Sequence, residues 1–254
     1  MATAQITVGN TRPTVTLTVP NGGFFDFGDQ IPYAVTVTDP EESTVACTRV
    51  VTQTQLGHDS HSHPMDNYVG CSGVADTEAN GGDGHGPGQN LYTVLTAQYT
   101  DGGATGGVPA LVGSVRHELQ TKSKEAEHFD ASNGIQVLDR ATARAGRRIG
   151  DVDHGEWISF GPVNLTGIST VTAGVSSGST GGTIEFRAGS PTGQLLGTMP
   201  VGSTGGWDNV VSPTVNLANP GGTFNLYLVF VNPAQVGGTP DLLSLDWLRF
   251  NGAG

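Results

Sequence analysis

The chain has little charge, few aromatic residues and few of the residues that favour helices. Only 13% of its 254 residues are Asp, Glu, Lys or Arg and 7% are Phe, Trp or Tyr, whereas glycine (39) and proline (14) are abundant. Glycine and proline are the residues that helices tolerate least, so the composition argues against a helical protein. No apolar run approaches the roughly 18 residues needed to cross a bilayer. Residues 1–10 carry neither a basic region nor an apolar core, so no secretory leader is visible. The expectation is a chain whose leader has been removed, or a fragment of a longer protein. Basic residues are scarce as well: 11 Lys and Arg stand against 23 Asp and Glu, a formal net charge of −12. Nucleic acid and anionic membranes require a basic face and are therefore not expected as partners. Cysteine is limited to Cys47 and Cys71. Two thiols are too few for a structural zinc site. In a Gly/Thr-rich β protein they imply a disulfide and an oxidising, extracellular compartment.

Thr and Val fill the space that helix formers leave. In Pro13-Thr-Val-Thr-Leu-Thr-Val-Pro20, Val15, Leu17 and Val19 alternate with threonines, which gives one apolar and one polar face. A turn at Asn21-Gly22-Gly23 follows, and residues 31–39 repeat the alternation with Tyr33, Val35 and Val37 before Asp39-Pro40 closes the strand. Residues 44–54 and 91–100 read as two further strands. Residues 102–113 suit a loop, and the charged stretch 117–124 a link. Beyond it, residues 149–160, 168–174, 183–188, 210–217, 223–231 and 243–250 are short alternating or apolar runs bounded by Gly, Pro, Asn or Ser. Nothing demands a helix. The expected architecture is all-β, with two β-sandwich domains at residues 1–121 and 122–254. Roughly 130 residues is ample for the second core.

Two resemblances sharpen this. The segment Phe27-Gly-Asp-Gln-Ile-Pro-Tyr-Ala-Val-Thr-Val-Thr-Asp-Pro-Glu41 resembles immunoglobulin-like domains of the polycystic-kidney-disease-repeat type from secreted bacterial enzymes. The resemblance implies a spacer or interaction module. In the second half occur, in order, Glu125-Ala-Glu127, Arg148-Ile-Gly-Asp-Val-Asp-His-Gly-Glu-Trp-Ile-Ser-Phe160, Gly197-Thr-Met-Pro-Val, Thr204-Gly-Gly-Trp-Asp-Asn209 and Leu245-Asp-Trp-Leu-Arg-Phe250. From about Lys124 to Asn251 the chain thereby resembles a family 6 carbohydrate-binding module, a β-jelly roll. A non-catalytic binder of polysaccharide or oligosaccharide is implied, within a secreted modular enzyme. The alternative is a structural spacer that binds no sugar.

Sugars offer apolar C–H faces and a rim of hydroxyls, so a receptor pairs an exposed ring with nearby polar side chains. Trp207 follows Gly205-Gly206, which can lift a ring toward solvent, and precedes Asp208-Asn209. The resemblance makes Trp207 a platform at the loop end, with Asn251, just past the last strand, as the hydrogen-bonding asparagine of the same sugar site. Asp151 departs from the family, which often has a Tyr there, so Asp151 and His154 are instead candidates to bond hydroxyls or bind a cation. Trp157 alternates with Ile158 and Phe160 and is expected on the outer sheet face, the second candidate cleft. Trp247 reads as structural. Glu125 and Glu127 point the same way in extended chain, and crowded carboxylates suit a hard cation. The resemblance implies a structural calcium at Glu125, Glu127 and Asp246, with a main-chain carbonyl near Arg147.

Glycoside hydrolysis needs two carboxylates flanking a cleft, and Asp151, Asp153 and Glu156 lie close in sequence. The binding-module resemblance already accounts for that segment, and neither a nucleophile elbow nor a zinc-protease motif is present. No catalytic residue is assigned. A separate feature is Gly57-His58-Asp59-Ser-His61-Ser-His63, followed by His85, which gathers four of the seven histidines. Read as a histidine-rich loop, His58, Asp59, His61, His63 and His85 are candidates to hold Zn²⁺ or Cu²⁺, because imidazole is a common ligand of both.

Overall fold

The computed structural model describes residues 9–79, 88–235 and 240–253. Its strands in the first half are Thr14–Leu17 (β1), Phe24–Phe25 (β2), Gln30–Thr38 (β3), Val50–His58 (β4), His61–Val69 (β5), Ser72–Asp76 (β6), Leu91–Thr100 (β7) and Val112–Thr121 (β8). A three-stranded sheet, β1-β3-β6, faces a five-stranded sheet, β2-β8-β7-β4-β5. Alternation explains the packing. Val15, Leu17, Tyr33, Val35 and Val37 project from one sheet onto Val50, Leu95, Ala97 and Tyr99 of the other, while the intervening threonines face solvent. The disulfide Cys47–Cys71 ties the turn before β4 to the point where the chain leaves β5 and enters β6 in the opposite sheet.

The second half contains Ser123–Glu125 (β9), Ala131–Asn133 (β10), Gln136–Asp139 (β11), Arg147–Gly150 (β12), Trp157–Val163 (β13), Ile168–Ser177 (β14), Gly182–Ala188 (β15), Gln194–Val201 (β16), Gly206–Val211 (β17), Thr214–Asn216 (β18), Phe224–Val231 (β19) and Ser244–Gly252 (β20). One sheet has the order β10-β13-β19-β15-β16; the other runs β11-β12-β20-β14-β17, with β18 also on β14 and β9 also on β20. Ile158, Phe160, Ile184, Phe186, Leu228 and Phe230 of the first sheet meet Ile149, Val171, Ala173, Leu248 and Phe250 of the second. The protein is all-β, with a jelly-roll-like second sandwich. Short 3₁₀ turns occur, as at Cys47–Arg49 and Ala126–His128, and no α-helix is present among the described residues.

Three expectations need correction. The charged stretch 117–124 is not a link: it is the end of β8 and all but the last residue of β9, with only Lys122 between them. Alternate residues of β8 pack on the core, so charge on the other face did not preclude a strand. Residues 149–160 are not one run: β12 and β13 belong to opposite sheets, and Asp151, at φ 56°, opens the turn between them. Residues 210–217 likewise divide between β17 and β18.

The two sandwiches share a tight junction. Phe24 is 5% exposed, belongs to the core of the second sandwich and stacks on Phe250 with ring centroids 4.4 Å apart. Asp26 accepts from both guanidinium ends of Arg249, at 2.5 and 2.9 Å, and Lys122 Nζ lies 3.7 Å away. The Arg249 hydrogen bonds, reinforced by the charge of Lys122, hold the Asp26 carboxyl below its ordinary range. Asn164 N–H donates to the Gly22 carbonyl and Thr223 Oγ1 to the Asn21 carbonyl. Gly22 is required here, because a Cβ would stand 2.7 Å from the Pro162 backbone.

All three tryptophans, Trp157, Trp207 and Trp247, lie in the second sandwich. Phe24→Ala should therefore lower the stability of the tryptophan-monitored transition by about 3–5 kcal/mol, the usual cost of emptying a buried phenylalanine site. A loss below about 1 kcal/mol in denaturant titration would show that Phe24 is not part of that core.

Candidate functional site

Strand pairing sets the outer face of the β10–β16 sheet. Trp157 pairs with Asn133 on one side and Val229 on the other; Tyr227 pairs with Ser159 and Arg187, and Glu185 with Val229 and Thr198. These side chains share one face, because Ile158 and Phe160 are 0% and 1% exposed on the other. Trp157 and Tyr227 are half-buried and meet edge to face, with centroids 5.1 Å apart and planes at 63°. Arg187 holds Glu185 Oε2 through Nε and Nη2, each at 2.8 Å. A shallow depression of about 430 Å³ continues this face, lined by Thr183, Glu185, Pro200, Val231 and Asn232. His154 stands at its rim, its Nδ1 accepting the Asn232 N–H at 3.2 Å. Tyr227 was missed from sequence, although its place between the inward Leu226 and Leu228 was a usable signal.

The loop end of the other sheet carries Trp207. Its ring lies against Gly178, where a Cβ would come within 2.6 Å of Nε1. Its carbonyl accepts from Arg148 Nη1 at 2.6 Å and Ser176 Oγ at 2.5 Å. Arg148, 2% exposed, also reaches Asp208 at 3.3 Å, and Thr142 Oγ1 donates to the same carboxylate oxygen. Asp151 sits at this end too, bonded by Gln136. Between Gly150 and Gly206 lie Ser244 and Ser176, three strand spacings or about 14 Å across the sheet. Asp151 follows β12 and His154 precedes β13, so the turn between the two sheets carries both. Asp153 and Glu156 are engaged within the protein: Asp153 Oδ1 accepts from Gln235 Nε2 in the stretch between β19 and β20, and Glu156 Oε2 accepts from the Asp153 N–H.

Asn251 is not beside Trp207. Its Nδ2 donates to Thr170 and Thr172 Oγ1 at 3.2 and 3.1 Å. Trp207 follows Gly206, the partner of Ser177 at the other end of β14. Seven residues of extended chain separate the two ends, about 23 Å. The physical reason is direction: β20 runs away from the loop end, so its last residues finish farthest from Trp207, and Ser244 is the β20 residue that lies near it. Trp247 is half-buried, with Gly174 against one side and the Arg144 guanidinium 4.9 Å from its centroid.

Glu125, Glu127 and Asp246 are 6%, 8% and 4% exposed. Asp246 is the extra residue of a β-bulge, since Trp247 pairs with Gly174 and Leu245 with Val175. Arg144 bridges the group, its Nε donating to Glu125 Oε1 at 2.6 Å and its N–H to both Asp246 oxygens at 3.1 Å. Glu125 Oε2 and both oxygens of Glu127 are buried without a hydrogen-bond partner; Arg147 Nε is 4.0 Å from Glu127. Burial pushes the Glu125 carboxyl up to about 7 against the opposing pull of Arg144, with Glu127 and Asp246 adding repulsion. Burial raises Glu127 and Asp246 as well. Orphaned, anion-destabilised oxygens of this kind fit a hard cation.

The histidines do not form a loop. His58 ends β4 and His61 begins β5, so they are partners across a two-residue turn, and His63 follows two residues on. The ligating nitrogens of His58, His61 and His63 lie within 4.8 Å of one another. Asp59 stands beside His58 Nδ1, at 3.6 Å, outside the trio. His85 lies outside the described residues.

Residues 125–252 match the family model for the carbohydrate binding module (family 6). Over 113 residues, 44% of this chain, the sequence is 36% identical to an endo-1,4-β-xylanase A from Thermoclostridium stercorarium, of which it covers 17%. Two solved modules are similar over 51% of this chain and 95% of their own. One is a β-1,3-glucan-binding family 6 module from Bacillus halodurans (35% identity, TM-score 0.47). The other is a family 6 module from Clostridium cellulolyticum in complex with xylose (31%, TM-score 0.46). The chain thus spans no more than about a quarter of the length of the curated relatives it matches. Through its second sandwich, the chain belongs to the family 6 carbohydrate-binding modules.

Proposed function

We propose that this chain is a non-catalytic, secreted accessory region of a modular polysaccharide-acting enzyme, and that it grips a glycan on the outer face of the β10–β16 sheet. The observation that carries this reading is the corner made by Trp157 and Tyr227. One ring offers a floor for the C–H face of a sugar and the other a wall. Glu185, held by Arg187, and the Asn232–His154 pair supply acceptors and donors along the adjoining depression. At the loop end Trp207 has a polar Asp151 across the sheet instead of a second ring, which favours the outer face. Residues 1–121 act as an immunoglobulin-like spacer and residues 122–254 as the binding unit. The β-1,3-glucan and xylose named for the similar solved modules make a glucan or a xylose-containing polysaccharide the ligands to try first.

Pull-down on insoluble xylan and β-glucan, followed by calorimetry on soluble fragments, tests the assignment. Trp157→Ala should weaken binding at least tenfold, about 1.4 kcal/mol, and Tyr227→Ala by a smaller factor, while Trp207→Ala leaves affinity within about twofold, the scale of surface changes. If Trp207→Ala alone abolishes binding, the site is the loop end. Wild-type protein that retains no polysaccharide would leave the spacer reading.

The second part of the proposal is a structural Ca²⁺ held by Glu125, Glu127 and Asp246, which would supply the positive charge that Arg144 alone leaves incomplete. Calcium at a hundredfold its Kd adds about 2.7 kcal/mol to the folded state, roughly 5–10 °C for a chain of this size. EDTA should lower the melting temperature accordingly, and Glu127→Gln should remove the calcium response. An unchanged melting curve on adding EDTA to calcium-loaded protein would defeat the idea.

A further inference from the structure

The tip of the β4–β5 hairpin presents three imidazoles on one face. His61 and His63 project the same way because strand side chains repeat every second residue, and His58 faces His61 across the turn. His58 Nε2 and His63 Nε2 are 3.0 Å apart. A tetrahedral zinc ion, with Zn–N bonds of about 2.0–2.1 Å, spaces its ligand nitrogens about 3.3 Å apart. The His58–His63 pair already has about that spacing, and all three ligating nitrogens lie within 4.8 Å of one another.

The scaffold beneath it is stiff. β4 is flanked by β7 on its other side, with His58 opposite Leu91. The Tyr92 ring occupies the space over Gly57, where a Cβ would come within 2.1 Å of it, and Tyr92 Oη donates to the His61 carbonyl at 3.3 Å. Asp59 takes φ 52° in the turn. Its N–H donates to the Asn90 carbonyl at 3.0 Å, and its Oδ1 accepts the Asn90 N–H at 3.2 Å. Its Oδ2 lies beside His58 Nδ1, the ring nitrogen that does not face His63. At 3.6 Å it is not yet a hydrogen bond, but a shift of a few tenths of an ångström would let it accept from Nδ1, the contact that orients a metal-ligating histidine.

We propose that His58, His61 and His63 bind one borderline divalent transition ion, Zn²⁺ or Cu²⁺, through three imidazoles, leaving a fourth position to water or an incoming ligand. The site lies on the first sandwich and is independent of the glycan face and of the calcium carboxylates.

The full chain is stripped with chelator, desalted into calcium buffer and dialysed against ZnCl₂ or, separately, CuCl₂. Bound metal is then counted by mass spectrometry and affinity measured by calorimetry. One equivalent per chain is expected. His61→Ala and His63→Ala, both at exposed positions, should each weaken binding on the order of 100-fold while leaving the metal-free melting temperature unchanged. Glu127→Gln should bind zinc as wild type does. In the copper arm, paramagnetic resonance should show nitrogen coupling that His63→Ala diminishes. Less than about a tenth of an equivalent of either ion at micromolar excess, where functional zinc sites fill, would overturn the proposal. So would undiminished binding in a His61→Ala/His63→Ala double variant, which would put the ion elsewhere.

Discussion

Strand β20 is the element on which the rest of the molecule depends. It pairs with β14 along its length and also with β12 and β9, so its neighbours are registered through it. Leu248 and Phe250 point into the core, while Trp247, Arg249 and Asn251 face outward. The bulge at Asp246 locally shifts that alternation and leaves a carboxylate inside. One strand therefore supplies core, a buried anion and the guanidinium that clasps Asp26. A burial pattern that serves three ends at once leaves little room for substitution between Ser244 and Phe250.

Buried charge is concentrated at the seam between the halves of the chain. Lys124 is buried, with its ammonium 5.7 Å from the centre of the Phe160 ring and 3.3 Å from Asn90 Oδ1; desolvation brings it down to about 8. Glu125 and Glu127 follow it directly in sequence, and desolvation moves them the opposite way. Isolated buried ions cost several kcal/mol each, so this stretch is held by its surroundings. The cores on either side, the Asp26–Arg249 pair and the Arg144 bridge supply them.

Much of this was legible in the sequence, and for definite reasons. β1 and β3 were found because every second residue is apolar and a turn signal follows each. The facing of Trp157 followed from its neighbours Ile158 and Phe160, and the ordered motifs from Glu125 to Phe250 pointed to the family. What was hidden depended on partners far away in the chain. β5 is mostly exposed and lacks an apolar face, so its only sign is the sheet it joins. The histidines looked like a loop because β5 could not be seen. Asn251 was misplaced because spacing along one strand does not reveal which end of its neighbour it meets. The contribution of Phe24 to the other core has no local trace at all.

The seam has a consequence for how the molecule ages in a protease-rich environment. Proteins built of successive units are usually nicked where one unit gives way to the next, because a protease must thread an extended, accessible segment into its cleft. Here β8 passes into β9 through one residue, and Lys122 and Lys124 are only 6% and 5% exposed. A trypsin-like enzyme meets two of its preferred side chains and no segment it can grasp. The weakest point for proteolysis therefore shifts from the boundary to the surface loops, and the two halves persist or are lost together.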